Sequence, residues 1–230
     1  MTAARRKLCR ALGYSFDSAD LLDTALTHRS AGSHNNERLE FLGDAALGFV
    51  IADALFERVP DATEGDLSRL RASLVKRDTL AQLAIDLELG EHLAMGGGEL
   101  KSGGFRRKSV LADAFEAVLG AVYLDGGYRS VRDLIERLFA ERLANLPDAN
   151  ALKDPKTRLQ ELLQARGLET PSYTVTATSG SEHAREFTVT CEVTSLQATA
   201  SGVGTSRRRA EQQAAQRLVA SLAANEGEGA

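Results

Sequence analysis

The segment Val110–Leu124 constrains the fold of this chain more than any other part, because it is almost wholly apolar. Its 15 residues include only two charged ones, Asp113 and Glu116, three positions apart. Residues at this spacing lie on the same face of a helix, and a helix that is apolar elsewhere is buried. The segment therefore predicts two carboxylates on a helix of the protein core, where an unpaired charge costs several kcal/mol.

A second segment, Glu37–Val50, has the same character. Glu37, Glu40 and Asp44 share one helical stripe, and most of the other positions are apolar, so we expect this helix to be buried as well. One interpretation is that arginines from elsewhere pair with the acidic groups; the candidates are Arg38, Arg69 and Arg71. We favour a shared acidic cavity that binds divalent cations, because two acidic clusters with almost no local counter-charge are difficult to bury otherwise.

The shortage of other ligand types indicates which cation such a cavity would bind. The chain has 2 cysteines, Cys9 and Cys191, far apart, and only 4 histidines. This excludes a cysteine-rich zinc module, an iron–sulfur cluster and a disulfide framework. Ligands that are all oxygen favour Mg²⁺ or Mn²⁺. Because the sequence has neither a long apolar run nor a signal-peptide pattern, we expect a soluble, cytoplasmic protein that does not enter a membrane.

The pattern of the sequence changes near residue 147 and predicts two domains. Helical periodicity without β-like alternation predicts an all-α domain over 1–147, followed by a linker at 148–152. An α-β-β-β-α order over 153–224 predicts a small α+β domain, and 225–230 are expected to be a disordered tail. Residues 1–152 carry a net charge of −4 and residues 153–224 a net charge of +2. An acidic larger domain is thus followed by a mildly basic smaller one.

The stretch Asn36–Asp44 resembles the signature of bacterial ribonuclease III. Four further stretches follow the order of that family: Ala25–Ser30, Glu64–Ser68, Lys101–Arg107 and Leu111–Ala117. The resemblance implies an all-α nuclease domain whose metal ligands, for Mg²⁺ or in its place Mn²⁺, are Glu40, Asp44, Asp113 and Glu116. It implies catalytic roles for Asp44 and Glu116, and a second acidic tier of Glu37 and Glu64 that faces the substrate or the partner subunit. Glu37 and Glu64 have a simpler interpretation as first-turn residues favoured by the helix dipole.

Residues 153–224 resemble a double-stranded RNA-binding domain, most clearly at Lys153–Glu161 and Gly202–Ala210. The resemblance implies minor-groove contacts from the first helix and from a loop; the residues concerned are Thr157, Gln160, Glu161 and His183. It implies phosphate binding where a glycine-containing loop enters the last helix, at Arg207, Arg208 and Arg209. Three consecutive arginines are otherwise usually a solvated surface. Glu211 stands where many members of that family carry a basic residue, which predicts weaker phosphate binding by this domain.

These features predict a Mg²⁺-dependent endoribonuclease that hydrolyses double-stranded RNA to products with 5′-phosphate and 3′-hydroxyl ends. The resemblance implies a homodimer whose two sites cut opposite strands, and substrates that include ribosomal RNA precursors and structured messenger RNAs. The alternative is a non-catalytic regulator that binds double-stranded RNA on a degenerate nuclease scaffold. That alternative requires the loss of at least one catalytic carboxylate, whereas Glu40, Asp44, Asp113 and Glu116 are all present.

Overall fold

Helices build the first of two structural units, which divide between Ala149 and Asn150, inside the expected linker. The computed structural model describes residues 2–181 and 185–227. In that part of the first unit the α-helices are α1 (Ala3–Leu12), α2 (Ala19–Ala25), α3 (Glu37–Arg58), α4 (Glu64–Leu74), α5 (Arg77–Asp86), α6 (Gly97–Lys101) and α7 (Lys108–Ala144). The prediction of an all-α first domain is confirmed.

Helices α3 and α7 form the centre of this unit, and local sequence explains where several helices begin and bend. The α4 helix starts at a capping box, in which the Thr63 hydroxyl accepts from the Asp66 N–H and Asp66 bonds back to Thr63. Within α7, Gly127 has φ 75° and ψ −175°, a combination that is essentially restricted to glycine and that separates two helical segments. The Asp125 carboxylate, just before this break, accepts a 2.8 Å hydrogen bond from the Tyr14 hydroxyl.

One expectation for α3 was wrong, since the helix is not buried all round. Its Leu47 and Ile51 side chains are buried, but Phe41 is 79% exposed and Phe49 is 60% exposed. One face of α3 packs on α7, while the stripe that contains these phenylalanines has no covering element within the described part of this single chain. Apolar periodicity alone does not distinguish a face covered by the chain's own elements from one left open.

The second unit has the predicted α-β-β-β-α order. Its elements are α8 (Pro155–Ala165), β1 (Ser172–Ser179), β2 (Glu186–Val193), β3 (Ala198–Gly204) and α9 (Arg207–Gly227). The strands form an antiparallel sheet in the order β1-β2-β3, with an irregularity between Val175 and Ala177. One sheet face packs on the two helices, and this core is built from Leu159, Leu163, Cys191, Val193, Ala214 and Leu218.

Two expectations concern the ends and loops of the second unit. The α9 helix continues to Gly227, so it extends into residues 225–230, which we expected to be a disordered tail. Residues 228–230 lie outside the described residues, and so does His183, which was expected in an RNA-contacting loop. No helix in the described ranges is long and apolar enough to cross a membrane.

Candidate functional site

The backbones of α3 and α7 approach each other closely at two glycines. A Cβ atom at Gly43 would lie 1.8 Å from the backbone oxygen of Glu116, and one at Gly120 would lie 2.2 Å from the backbone oxygen of Leu39. Only glycine fits at either position, so the close crossing depends on both. Glycine is unfavourable inside a helix, so these two glycines in the sequence indicate close helix packing, which we did not predict.

This crossing brings acidic side chains of the two helices together. Three carboxylate oxygens, one from each side chain, lie within 4.8 Å of one another; they belong to Glu40 of α3 and to Asp113 and Glu116 of α7. All three residues are partly buried. Asp44 lies one turn further along α3, is exposed, and is outside this group of three. The structure thus gathers three of the four predicted ligands and places Asp44 near enough to act on Glu116 electrostatically.

Burial and mutual repulsion determine the protonation of this acidic cluster, by which we mean Glu40, Asp113 and Glu116. Burial, followed by repulsion from Asp44, Glu40 and Asp113, raises the pKa of Glu116 to about 8. Burial and then Asp113, Glu37 and Asp44 raise the pKa of Glu40 above its usual value. The pKa of Asp113 is also raised by burial, although the positive potential of Arg77 and His28 opposes the shift. The cluster therefore carries a charge that the fold itself disfavours.

The three candidate arginines, Arg38, Arg69 and Arg71, do not neutralise the cluster. Arg69, one of the candidates, pairs with Asp66 at 2.7 Å instead. Within the described ranges, no ion pair joins Arg38 or Arg71 to any carboxylate of the cluster, and none of the groups that shift the pKa of Glu116 is a cation. The interpretation of these acids as structural ion-pair partners is therefore not supported, and the arrangement can accommodate a positive ligand.

The two residues of the predicted second acidic tier have different surroundings. Glu37 is exposed, pairs with Arg29 at 3.3 Å and is one of the groups that raise the pKa of Glu40, so it lies beside the cluster. Glu64 is exposed in the first turn of α4, where its carboxylate accepts a 2.7 Å hydrogen bond from the Ser68 hydroxyl. Neither residue belongs to the group of three.

Arg77 and His28 also influence the cluster, because each opposes the rise in the pKa of Asp113. His28 caps a short turn, where its Nδ1 accepts from the Ser30 N–H at 3.2 Å. The Ser30 hydroxyl in turn accepts from the Gly96 N–H at 3.0 Å. These contacts give His28 a structural role in this turn. The influence of Arg77 arises from the fold, and no local sequence pattern indicates it.

The predicted RNA-contacting residues of the second unit lie on two exposed helix surfaces. Thr157, Gln160 and Glu161 are exposed on α8, whereas Leu159 and Leu163 face the core. Arg207, Arg208 and Arg209 are exposed in the first turn of α9. The N-termini of both helices are close together, because Gln212 of α9 donates a 2.6 Å hydrogen bond to the Asp154 carboxylate that caps α8.

Comparison with known proteins places both units in described families. Residues 18–143 match the family model described as ribonuclease-III-like, and residues 155–222 match the double-stranded RNA binding motif. The chain is 56% identical over 226 residues to Ribonuclease 3 of Nitrosococcus oceani, with 97% of both chains covered. It is 54% identical to Ribonuclease 3 of Pseudomonas fluorescens, with 99% of both covered.

Solved structures agree with these sequence comparisons. The nuclease domain of ribonuclease III from Campylobacter jejuni is 42% identical, has a TM-score of 0.59, and covers 61% of this chain and 97% of its own. A second structure of that nuclease domain concerns a region involved in dimer formation and has a TM-score of 0.58 at 43% identity, with 59% of this chain and 95% of that one covered. From its helical unit, its sheet-containing unit and these relatives, the chain is a member of the ribonuclease III family, with a nuclease domain followed by a double-stranded RNA-binding domain.

Proposed function

We propose that this chain hydrolyses phosphodiester bonds of double-stranded RNA and that a divalent cation, Mg²⁺ or Mn²⁺, binds at the acidic cluster. The observation that carries the proposal is the group of three carboxylate oxygens within 4.8 Å of one another, on partly buried side chains. An arrangement of this kind is stable only if protons or cations compensate it. Membership of the ribonuclease III family supports the same chemistry.

The donor set fits the hard cation that we propose. Glu40, Asp113 and Glu116 offer only oxygen, and Asp44 offers a further carboxylate at the exposed side of the cluster. A divalent cation bound there supplies Lewis-acid chemistry that polarises the phosphodiester and acidifies a water molecule. Glu116, whose pKa is about 8, holds a proton near neutral pH in the metal-free chain, and a bound cation would favour its ionised form. Glu37 and Glu64 are proposed to act from the periphery, towards the RNA or the partner subunit.

The second unit is proposed to hold the RNA through two surfaces. The exposed face of α8, with Thr157, Gln160 and Glu161, is proposed to contact the minor groove together with the loop that contains His183. Arg207, Arg208 and Arg209 are proposed to bind phosphates at the start of α9, where free N–H groups add to the side-chain charge. We infer products with 5′-phosphate and 3′-hydroxyl ends. We also infer a cytoplasmic location, with ribosomal RNA precursors and structured messenger RNAs as substrates.

A cleavage assay tests the proposal directly. A labelled RNA hairpin is incubated with the full chain, with and without Mg²⁺, and the cut ends are mapped. We expect Mg²⁺-dependent cuts within the duplex and 5′-phosphate ends. If the chain binds the hairpin but never cuts it with either Mg²⁺ or Mn²⁺, the alternative of a binding-only regulator is correct.

We also propose that the chain is a homodimer, formed through the open stripe of α3. Phe41 and Phe49 lie on this stripe, and Phe49 makes an edge-on contact with Tyr128 of α7, with ring centroids 5.8 Å apart. Large exposed aromatic side chains grouped on one face are typical of protein interfaces. The described residues of one chain hold one such acidic cluster, so we infer that cutting both strands of a duplex requires two chains.

The double variant Phe41→Glu with Phe49→Glu is expected to be monomeric, because it places charge in the apolar contact. Since both side chains are exposed in the single chain, its fold should survive. Sedimentation of parent and variant at equal concentration checks this. Ile85→Glu, which changes an exposed apolar residue on α5, should leave the dimer intact. A double variant that sediments as the parent does would place the interface elsewhere.

The raised pKa of Glu116 predicts how the stability of the metal-free protein depends on pH. Between pH 4.5 and about 8 the folded chain keeps a proton that the unfolded chain has released. The folded state then binds more protons, so the free energy of unfolding falls as the pH rises through this range. We expect the melting temperature in EDTA to decrease from pH 5 to pH 8, and Mg²⁺ to raise it more at pH 8. The slope should be smaller in Glu116→Gln; an equal slope would contradict the assignment.

A further inference from the structure

Glu211 of α9 binds two cations at once. Its side chain is only 12% exposed. One carboxylate oxygen accepts a 2.8 Å hydrogen bond from Nε of Arg207, and the other accepts a 2.7 Å hydrogen bond from Nζ of Lys156. Arg207 and Lys156 come from different helices, and Glu211 is therefore the link between them.

Both cations remain accessible while they are held in place. The Lys156 ammonium also lies 4.3 Å from the centre of the Tyr173 ring, a cation–π contact that restrains it on a second side. The Lys156 side chain is still 36% exposed and that of Arg207 is 64% exposed. Arg207 uses Nε for Glu211, which leaves the other guanidinium N–H groups available to a ligand. Attraction to Lys156 and Arg207 keeps the pKa of Glu211 below its usual value, so the carboxylate is charged at neutral pH.

The surrounding backbone places this arrangement between two helix N-termini. The Asp154 carboxylate caps α8 by accepting from the Lys156 N–H at 3.0 Å, and it also accepts from Gln212 at 2.6 Å. The positive ends of α8 and α9 therefore meet where Lys156 and Arg207 are held. Three cations, Lys156, Arg207 and Arg208, lie beside the two carboxylates of Glu211 and Asp154, so a net positive charge remains, to which both helix dipoles add.

We propose that Glu211 is a positioning residue for RNA binding, which holds Lys156 and Arg207 in a fixed pair that receives the phosphate backbone. The role rests on the proposed binding of double-stranded RNA by the second unit. A lysine and an arginine that are ordered before binding lose less side-chain entropy when they contact phosphate. In this role Glu211 strengthens phosphate binding, whereas the expectation from sequence is that the acidic residue only weakens it.

The direction in which Glu211→Gln changes the affinity for RNA separates a positioning role from simple repulsion. Glu211→Gln adds one unit of positive charge, so a purely repulsive Glu211 predicts tighter binding of RNA. A positioning Glu211 predicts binding weaker by roughly three- to tenfold, because the amide cannot hold two cations. Dissociation constants of the full chain for a labelled RNA duplex are measured without divalent cations over a series of KCl concentrations. Glu192→Gln, which makes the same charge change at an exposed position of β2, should bind as the parent does or slightly tighter.

Two further variants keep the test decisive if Glu211→Gln unfolds in part. Glu211→Asp preserves the charge and shortens the side chain. A positioning role therefore predicts weaker RNA binding, whereas simple repulsion predicts no change in RNA binding. In a Lys156→Met background, Glu211→Gln should lose part of its effect, since one of its two partners is gone. Thermal melts of every variant report the folded fraction. Equal or tighter binding by folded Glu211→Gln and Glu211→Asp overturns the proposal, whereas failure of the parent to bind duplex RNA overturns the proposed function itself.

Discussion

Glu116→Gln is expected to slow the cleavage of double-stranded RNA by at least about 100-fold while RNA binding stays near the parental level. Glutamine has nearly the same size as glutamate, but it removes one negative charge from the acidic cluster and is a much poorer ligand for a hard cation. The proposed RNA-binding residues lie in the other unit and are unchanged. Higher Mg²⁺, or Mn²⁺ in its place, should recover part of the rate.

The same substitution separates a metal ligand from a structural residue. A neutral amide is easier to bury than a carboxylate whose pKa is raised to about 8, so the metal-free variant should be at least as stable as the parent. A cleavage time course, a gel shift and a thermal melt on one preparation check these expectations. Glu141→Gln, at an exposed position of the same helix, serves as the control. Near-parental cleavage by Glu116→Gln would refute its role as a ligand.

Gly43→Ala should destabilise the nuclease domain by at least about 3 kcal/mol, although it adds only one methyl group. The new Cβ would lie 1.8 Å from the backbone oxygen of Glu116. Backbone cannot move aside as a flexible side chain can, so α3 and α7 have to separate. Their separation would also spread the carboxylates of Glu40 and Glu116, and cleavage should fall even in the fraction that stays folded.

Urea unfolding of Gly43→Ala and of a matched variant, Gly98→Ala, measures this effect. A Cβ at Gly98, in helix α6, would meet no atom within 4 Å. The usual preference of a helix for alanine should therefore make Gly98→Ala neutral or slightly stabilising. If Gly43→Ala unfolds at the same urea concentration as the parent, the close crossing does not control the position of the cluster.

Local sequence was sufficient for the elements and for most of the chemistry. The low charge of Val110–Leu124 predicted a core helix with Asp113 and Glu116 on one face, and α7 contains that segment. Thr63 followed three residues later by Asp66 is a capping-box pattern at the start of α4, and residues 187–193 of β2 alternate between apolar and polar positions. These features depend on neighbours within one or two helical turns, or on a period of two along a strand. Such neighbours are close in any fold that forms the element.

Tertiary structure decided which of these residues meet. The depth of the crossing at Gly43 and Gly120 selects Glu40, Asp113 and Glu116 as the group within 4.8 Å and leaves Asp44 at its side. The exposure of Phe41 on an apolar helix and the two cations held by Glu211 are likewise set by distance in space. A single acidic residue read along the chain is only a negative charge. Its effect on phosphate binding depends on which cations the fold brings within hydrogen-bonding distance. An acidic residue that orders a cation raises the affinity for phosphate, whereas one that only repels phosphate lowers it.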